Sequence, residues 1–206
     1  MTGPASAPLA DGLPGADAPT VAARDTGRSD TVAPGTDTPA VTLLGPVRFH
    51  GAAPRGRSLA VLLALLALET GRPVSMARIV AELWDERPPP SAQATVHVYV
   101  SRLRSLLRPH AAVRGGPAGY ALEGAGESDA ARFARLVDDG YRRHEAGDPH
   151  SAADRFDAAL TLWRGEPFAG QGGAELRAAR ARLDGIRRDA TIGRARCALA
   201  LGDARR

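Results

Sequence analysis

Apolar positions first become regular at Val41. The stretch Val41-Thr-Leu-Leu-Gly-Pro-Val-Arg-Phe-His50 holds two short apolar runs around Gly45-Pro46, a turn dipeptide. That pattern predicts two short strands. Ser58 to Glu69 is leucine-rich and is followed by Gly71 and Pro73, which predicts a buried helix closed at a glycine. Ser75 can cap a second helix, 76–86, with Ile79, Val80, Leu83 and Trp84 as its apolar stripe. The run Arg87-Pro-Pro-Pro90 breaks the chain, and Ser91 can cap a third helix reaching about Arg108. Val113 to Leu122 then gives two strand pieces around Gly115-Gly-Pro-Ala-Gly119, a small hairpin with a glycine-rich tip. Strands, three helices and a closing hairpin make a winged helix-turn-helix pattern.

The remainder reads as all-helical. Helices are expected over 130–145, 151–163 and 174–201, with breaks at Gly147-Asp-Pro149 and Arg164-Gly-Glu-Pro-Phe168. Ala152, Phe156 and Ala159 show the small-large-small spacing of a tetratricopeptide second helix, and Gly140 falls where that repeat places a small residue. The last helix carries an apolar stripe at Leu176, Leu183, Ile186, Ala190 and Cys197. Repeat arrays generally need about three repeats to be stable, and no later helix follows to cover Cys197 to Leu201. Residues beyond about 190 are therefore expected to fray or to be covered by a second copy or another partner. The fold class expected is mainly α with a small β component: a winged helix followed by a truncated tetratricopeptide-like bundle.

The third helix holds the most informative face. At 100° steps, Val96, Val100, Leu103 and Leu107 fall on one stripe, which is the core side. Ser91, Ala94, Val98, Arg102 and Ser105 fall opposite, with His97, Arg104 and Arg108 on one flank and Thr95 and Tyr99 on the other. A surface helix ordinarily mixes charges of both signs on its outer face. Here that face is small, apolar or Arg, without a carboxylate. Small residues let a helix sink into the major groove. Val98 can press on a thymine methyl, and Arg102 can donate two bonds to guanine O6 and N7. Arg104 and Arg108 can neutralise phosphates, and Arg114 with the glycine-rich hairpin can approach one.

Charge sharpens this picture. The chain has 206 residues and a net charge of +4, and all 27 of its basic residues are Arg. Residues 41–123 hold ten Arg against five acids, and Arg102 to Arg114 holds four Arg and no acid. A local basic cluster of this kind points to an anionic partner, nucleic acid first. Residues 1–40 are Ala, Pro, Gly, Thr and Asp with few large apolar side chains, and contain six of the 16 prolines. Such a segment cannot offset its chain entropy by burial and is expected to be disordered. One Cys fits a reducing compartment, and no apolar run reaches the ~18 residues of a membrane helix. The expected setting is cytoplasmic and nucleoid-associated, with no membrane partner.

Several motifs in order carry a family resemblance. Ala81-Glu-Leu-Trp84, Pro88-Pro-Pro-Ser-Ala92 and Tyr99-Val-Ser-Arg-Leu-Arg104 resemble the winged-helix domain of the antibiotic-pathway regulators called SARP. Leu43-Leu-Gly-Pro46 resembles the first strand and turn of that domain. Leu160-Thr-Leu-Trp-Arg-Gly165 resembles the start of the family's bacterial transcriptional activation domain. The resemblance covers residues 41–206 and implies an OmpR-type winged helix over 41–125 and an incomplete activation domain over 126–206. It implies a transcriptional activator that binds promoter direct repeats, double-stranded DNA, and recruits RNA polymerase for a secondary-metabolite gene cluster. Thr95, Val98, Arg102 and Arg104 match DNA-contacting positions; Tyr99, Arg108 and Arg114 flank them. Glu86 and Arg87 lie in the loop matching the one that faces polymerase. Direct repeats imply a homodimer on DNA, although no residue of the sequence marks its interface. The chain departs from the family in a shorter segment between Gly51 and Arg57, and in Ala121 after Tyr120, where the family often has Arg.

No catalytic set accompanies these motifs. A glycine-rich phosphate loop needs a Lys, and the chain has none. Five scattered His and one Cys give no metal-ligand spacing. Cys197 lies among Ala and Leu, as a structural thiol does. Neither an enzyme, a metal nor a cofactor is expected. The alternative is a protein-interaction module, in which the helical half binds a partner and the winged helix is degenerate or docks protein.

Overall fold

A computed structural model describes residues 39–85 and 87–203. Most of the 1–40 segment read as disordered, and Glu86 of the loop, lie outside these residues. The element order is β1 (Val41–Thr42), β2 (Arg48–Phe49), α1 (Arg57–Leu68), α2 (Met76–Trp84), α3 (Ala92–Leu107), β3 (Ala112–Gly116), β4 (Gly119–Glu123), α4 (Asp129–Glu145), α5 (Pro149–Leu160) and α6 (Ala174–Asp203). β1 pairs antiparallel with β2, and β3 with β4. This is the winged helix-turn-helix followed by an all-helical half that the patterning predicts.

α1 organises the core. Leu59 and every residue from Val61 to Ala67 are buried, because a helix apolar on all sides has no face to give to water. α2, α3, β4 and α6 all pack against it. Ser75 caps α2 by accepting the amide of Arg78, as expected. α2 then stops at Trp84, short of Glu86, because Asp85 takes a left-handed φ of 56°. Ser91 occupies the position before α3, yet its side chain makes no capping bond; its carbonyl instead accepts the Thr95 hydroxyl at 3.0 Å. The hairpin is fastened to the α1–α2 connection by reciprocal amide bonds between Val74 and Tyr120. Gly119 allows that approach, since its φ is +121° and a Cβ there would lie 2.0 Å from the Val74 carbonyl oxygen.

In the helical half, Ser128 caps α4 and Asp148 caps α5, with Pro149 at the first helical position. α5 therefore spans Pro149–Leu160, not 151–163. The Phe156 ring fills the space left by two glycines: a Cβ on Gly140 would sit 2.8 Å from it, and on Gly193 2.6 Å. The repeat-like spacing around Phe156 is thus a packing requirement met by α4 and α6 together.

α6 runs 30 residues, about 45 Å, and spans both halves. Leu176, Leu183, Ala190 and Cys197 are buried at a strict interval of seven, the seam of a coiled-coil-like packing. The expectation that the chain leaves Cys197 uncovered is corrected here. Cys197 is fully buried, its Sγ 3.6 Å from Nδ1 of His144 on α4. α6 passes back along α5 to the end of α4, so the hairpin preceding it supplies the cover. Burial pushes the Cys197 thiol pKa up, which suits a structural role. Leu199, by contrast, is 70% exposed.

Two buried carboxylates join the halves. Glu82 on α2 accepts the amides of Gly173 (2.5 Å), Glu175 (2.9 Å) and Leu176 (3.2 Å), capping the N-terminus of α6 from a distant element. Asp129 at the start of α4 accepts the amides of Leu43 (2.6 Å) and Leu44 (3.2 Å) and pairs with Arg164. Burial raises the Asp129 pKa from its ordinary value against the pull of those amides and Arg164. Replacing Glu82 by Ala strands three amide donors at a buried helix end. Urea unfolding of Glu82→Ala is expected to show a loss of about 2–4 kcal/mol, with Glu82→Gln losing less than half of that. A loss below about 0.5 kcal/mol for Glu82→Ala would show that the cap carries no stability.

Candidate nucleic-acid interface

α3 meets the core through Val96, Val100, Leu103 and Leu107, all buried. Its opposite face, from Ala94 through Val98 and Arg102 to Ser105, is exposed. Val98 is 48% exposed, one of few large apolar side chains so placed among the described residues. Arg102 makes no hydrogen bond or ion pair among the described residues, so its guanidinium is available. No Asp or Glu occurs anywhere between Arg87 and Leu122. The face therefore presents cationic and small apolar groups with no carboxylate of its own segment to repel a phosphate.

The other expected site residues are divided in their commitments. Tyr99 stacks on Trp84 with ring centroids 6.4 Å apart and is half-buried. Thr95 spends its hydroxyl proton on the Ser91 carbonyl, which leaves its oxygen lone pairs free to accept. Arg104 donates its Nε to the Val113 carbonyl at 2.9 Å, tying α3 to the hairpin. Arg108 is exposed where α3 ends. Arg114 projects from the hairpin, three-quarters exposed, and pairs with Glu123 across it. Arg87 is exposed in the α2–α3 connection. Geometry thus brings Val98 and Arg102 together on one face, with Arg108 and Arg114 outlying and Arg104 and Tyr99 partly spent on packing.

Among the clefts of the described surface are ones of about 430, 420, 350 and 210 Å³. The one of about 350 Å³ lies beside α3, between His97 and Arg104, the start of α2 and the hairpin tip from Gly115 to Tyr120. No group of three or more His, Cys, Asp or Glu able to hold a metal occurs among the described residues. No helix among them is long and apolar enough to cross a membrane.

Pattern reading missed Glu82 and Asp129, which hold this face in place relative to the helical half. A signal existed in the sequence. α6 is preceded by Gln171-Gly172-Gly173, with no Ser, Thr, Asp or Asn to cap it, so its cap had to come from elsewhere.

A winged helix joined to a helical bundle, with a carboxylate-free exposed helix, is the architecture of a DNA-binding regulator. Residues 56–116 match the family described as transcriptional regulatory protein, C terminal. Residues 128–206 match the bacterial transcriptional activator domain. The chain is 39% identical over 150 residues to the regulatory protein AfsR of Streptomyces coelicolor, covering 68% of this chain and 15% of that protein. It is 33% identical over 141 residues to the regulatory protein DnrI of Streptomyces peucetius, covering 61% of this chain and 52% of that one. A solved structure of Mycobacterium tuberculosis EmbR in complex with a low-affinity phosphopeptide superposes with a TM-score of 0.68 at 29% identity, covering 79% of this chain and 46% of EmbR. The chain belongs to the SARP family of transcriptional regulators. It spans about half the length of DnrI and less of AfsR and EmbR.

The exposed Arg side chains are expected to separate by role. In a full-chain titration of a duplex selected from a random pool, Arg102→Ala is expected to cost about 1–3 kcal/mol while leaving random-duplex affinity nearly unchanged. Arg108→Ala is expected to weaken both duplexes alike and to lower the salt slope by about one. Equal losses on both duplexes for Arg102→Ala would make it a phosphate contact.

Proposed function

We propose that the chain is a sequence-specific transcriptional activator that reads double-stranded DNA with α3. The observation that carries this reading is the face of Val98 and Arg102: exposed, free of carboxylates, and backed by a fully buried stripe. A protein that reads base edges needs a helix rigid on one side and sterically small on the other. Thr95 and Tyr99 flank the reading face. Arg104, Arg108 and Arg114 border it, where phosphates run.

Activation is assigned to the α2–α3 connection and the helical half. Glu86 and Arg87 follow the left-handed residue Asp85 and precede Pro88 to Pro90, which stiffen the connection. Arg87 faces solvent and is a candidate contact for RNA polymerase. Binding to promoter direct repeats, with two copies on one duplex, and action on a secondary-metabolite gene cluster rest on the family resemblance. The protein would work in the cytoplasm at the nucleoid.

Selection of duplexes from a random pool with the full chain tests DNA reading. The expected outcome is enrichment of a motif repeated in one orientation, with affinity falling steeply as salt rises because bound phosphates release counterions. No enriched motif, or salt-insensitive binding, would favour the protein-interaction reading. In a purified transcription system, Arg87→Ala and Glu86→Ala are expected to reduce transcript while leaving duplex affinity intact. Unchanged transcript from both would place the polymerase contact elsewhere.

A further inference from the structure

We propose that the cleft between α1, α2 and α6 binds a small amphiphile with one anionic head and an apolar body. This cleft, of about 430 Å³, lies within the size range of ligand sites. α3 contributes no residue to its lining, so it is separate from the DNA-reading face.

Charge defines its head end. Two carboxylates line the cleft, Glu69 and Glu175, and both are engaged by Arg78. Its Nε and Nη2 donate to Glu175 at 2.9 and 2.6 Å, and Nη2 also reaches Glu69 at 3.1 Å. Arg72 and Arg182 stand on the walls, from the α1–α2 connection and from α6. Neither guanidinium has a hydrogen bond or ion pair among the described residues. The three Arg of the lining outweigh its two carboxylates by one positive charge, and the guanidinium donors of Arg72 and Arg182 are unspent. A single carboxylate or phosphate between them would gain charge-assisted hydrogen bonds from both.

Apolar surface defines the other end. Leu65 and Leu68 line the cleft, and Leu68 and Arg182 also line an adjoining recess of about 210 Å³. Ala134, Leu183 and Ile186 wall that recess, and small side chains on α4 keep it open. Arg182 and Leu68 line both spaces, so cationic lining meets leucine and alanine surface where cleft and recess adjoin. That lining fits an anionic amphiphile better than a free phosphate, which leaves the recess unused, or an uncharged lipid, which leaves the excess positive charge unpaired. Because the walls come from the winged helix on one side and α6 on the other, an occupant favours the seated arrangement of the halves.

The test uses the full chain and dodecanoate as probe, below its micelle concentration, by calorimetric titration and by thermal melting. Saturable binding at one site is expected, with a melting temperature that rises with dodecanoate. Dodecan-1-ol and octanoate are each expected to bind at least about tenfold more weakly, lacking the charge or the chain length. Dodecyl phosphate separates a carboxylate from a phosphate preference. The double variant Arg72→Gln/Arg182→Gln is expected to lose about tenfold in dodecanoate affinity while keeping its ligand-free melt and its duplex affinity. Ala134→Leu should narrow the recess and remove the advantage of dodecanoate over octanoate. Should that variant fail to fold, Ala131→Trp, at an exposed position on the recess rim, serves the same purpose. Absence of saturable binding, or dodecanoate affinity unaffected by either the Arg pair or the recess variants, would overturn the proposal.

Discussion

The structure depends on one constraint: α1 has no side that can meet water. With Leu59 and the residues from Val61 to Ala67 all buried, other elements must surround it, and the winged helix alone does not do so. α2 and α3 take one part, β4 closes another, and α6 from the helical half completes the enclosure. Apolar burial is non-directional, so it brings the halves together without fixing their register. Register comes from directional groups. Glu82 fixes where α6 begins, and Asp129 with Arg164 fixes where α4 and the Arg164–Phe168 turn meet the first strand. A buried carboxylate is costly unless it is fully hydrogen-bonded. Each of these two therefore tolerates a single arrangement of its partners.

This joining bears on how a DNA reader of this class could signal. α2 carries Glu82 toward α6, and Trp84, two residues on, stacks on Tyr99 of α3. α3 is fastened in turn to the hairpin through Arg104 and the Val113 carbonyl. A chain of direct contacts thus runs from the N-terminus of α6 to the wing. The helical half is not a tethered appendage, and its position and the attitude of α3 are set by the same few bonds.

The motifs that carry the family resemblance turn out to be chiefly structural. Leu43 and Leu44 offer their amides to Asp129, and Arg164 supplies its counter-charge. Trp163 packs edge-on against Phe133 and lies under the Arg187 guanidinium. Trp84 and Tyr99 form a stack. Each of these residues fills a fixed position between elements. Of the Tyr99–Arg104 motif, Arg102 is the exposed member with no hydrogen bond or ion pair among the described residues.

Periodicity alone determined the elements, their order and the two faces of α3, because a helix's apolar stripe is written locally at 3.6 residues per turn. Residue type marked the Ser75 cap, and the repeat spacing marked Gly140 as a small position, while its contact with Phe156 came from the packing. The ends were less legible. Asp85 stops α2 through a left-handed backbone, and Asp148 starts α5 earlier than its apolar spacing suggests. What only the tertiary structure decided concerns partners far apart in sequence. Nothing local shows that Glu82 caps a helix 91 residues on. Nothing local shows that α6 folds back to bury Cys197 against His144, or that Arg104 is tied to the hairpin. A side chain's chemistry is fixed by its sequence, but whether a carboxylate is solvated or buried depends on which distant amides reach it, and that is settled only when the elements pack.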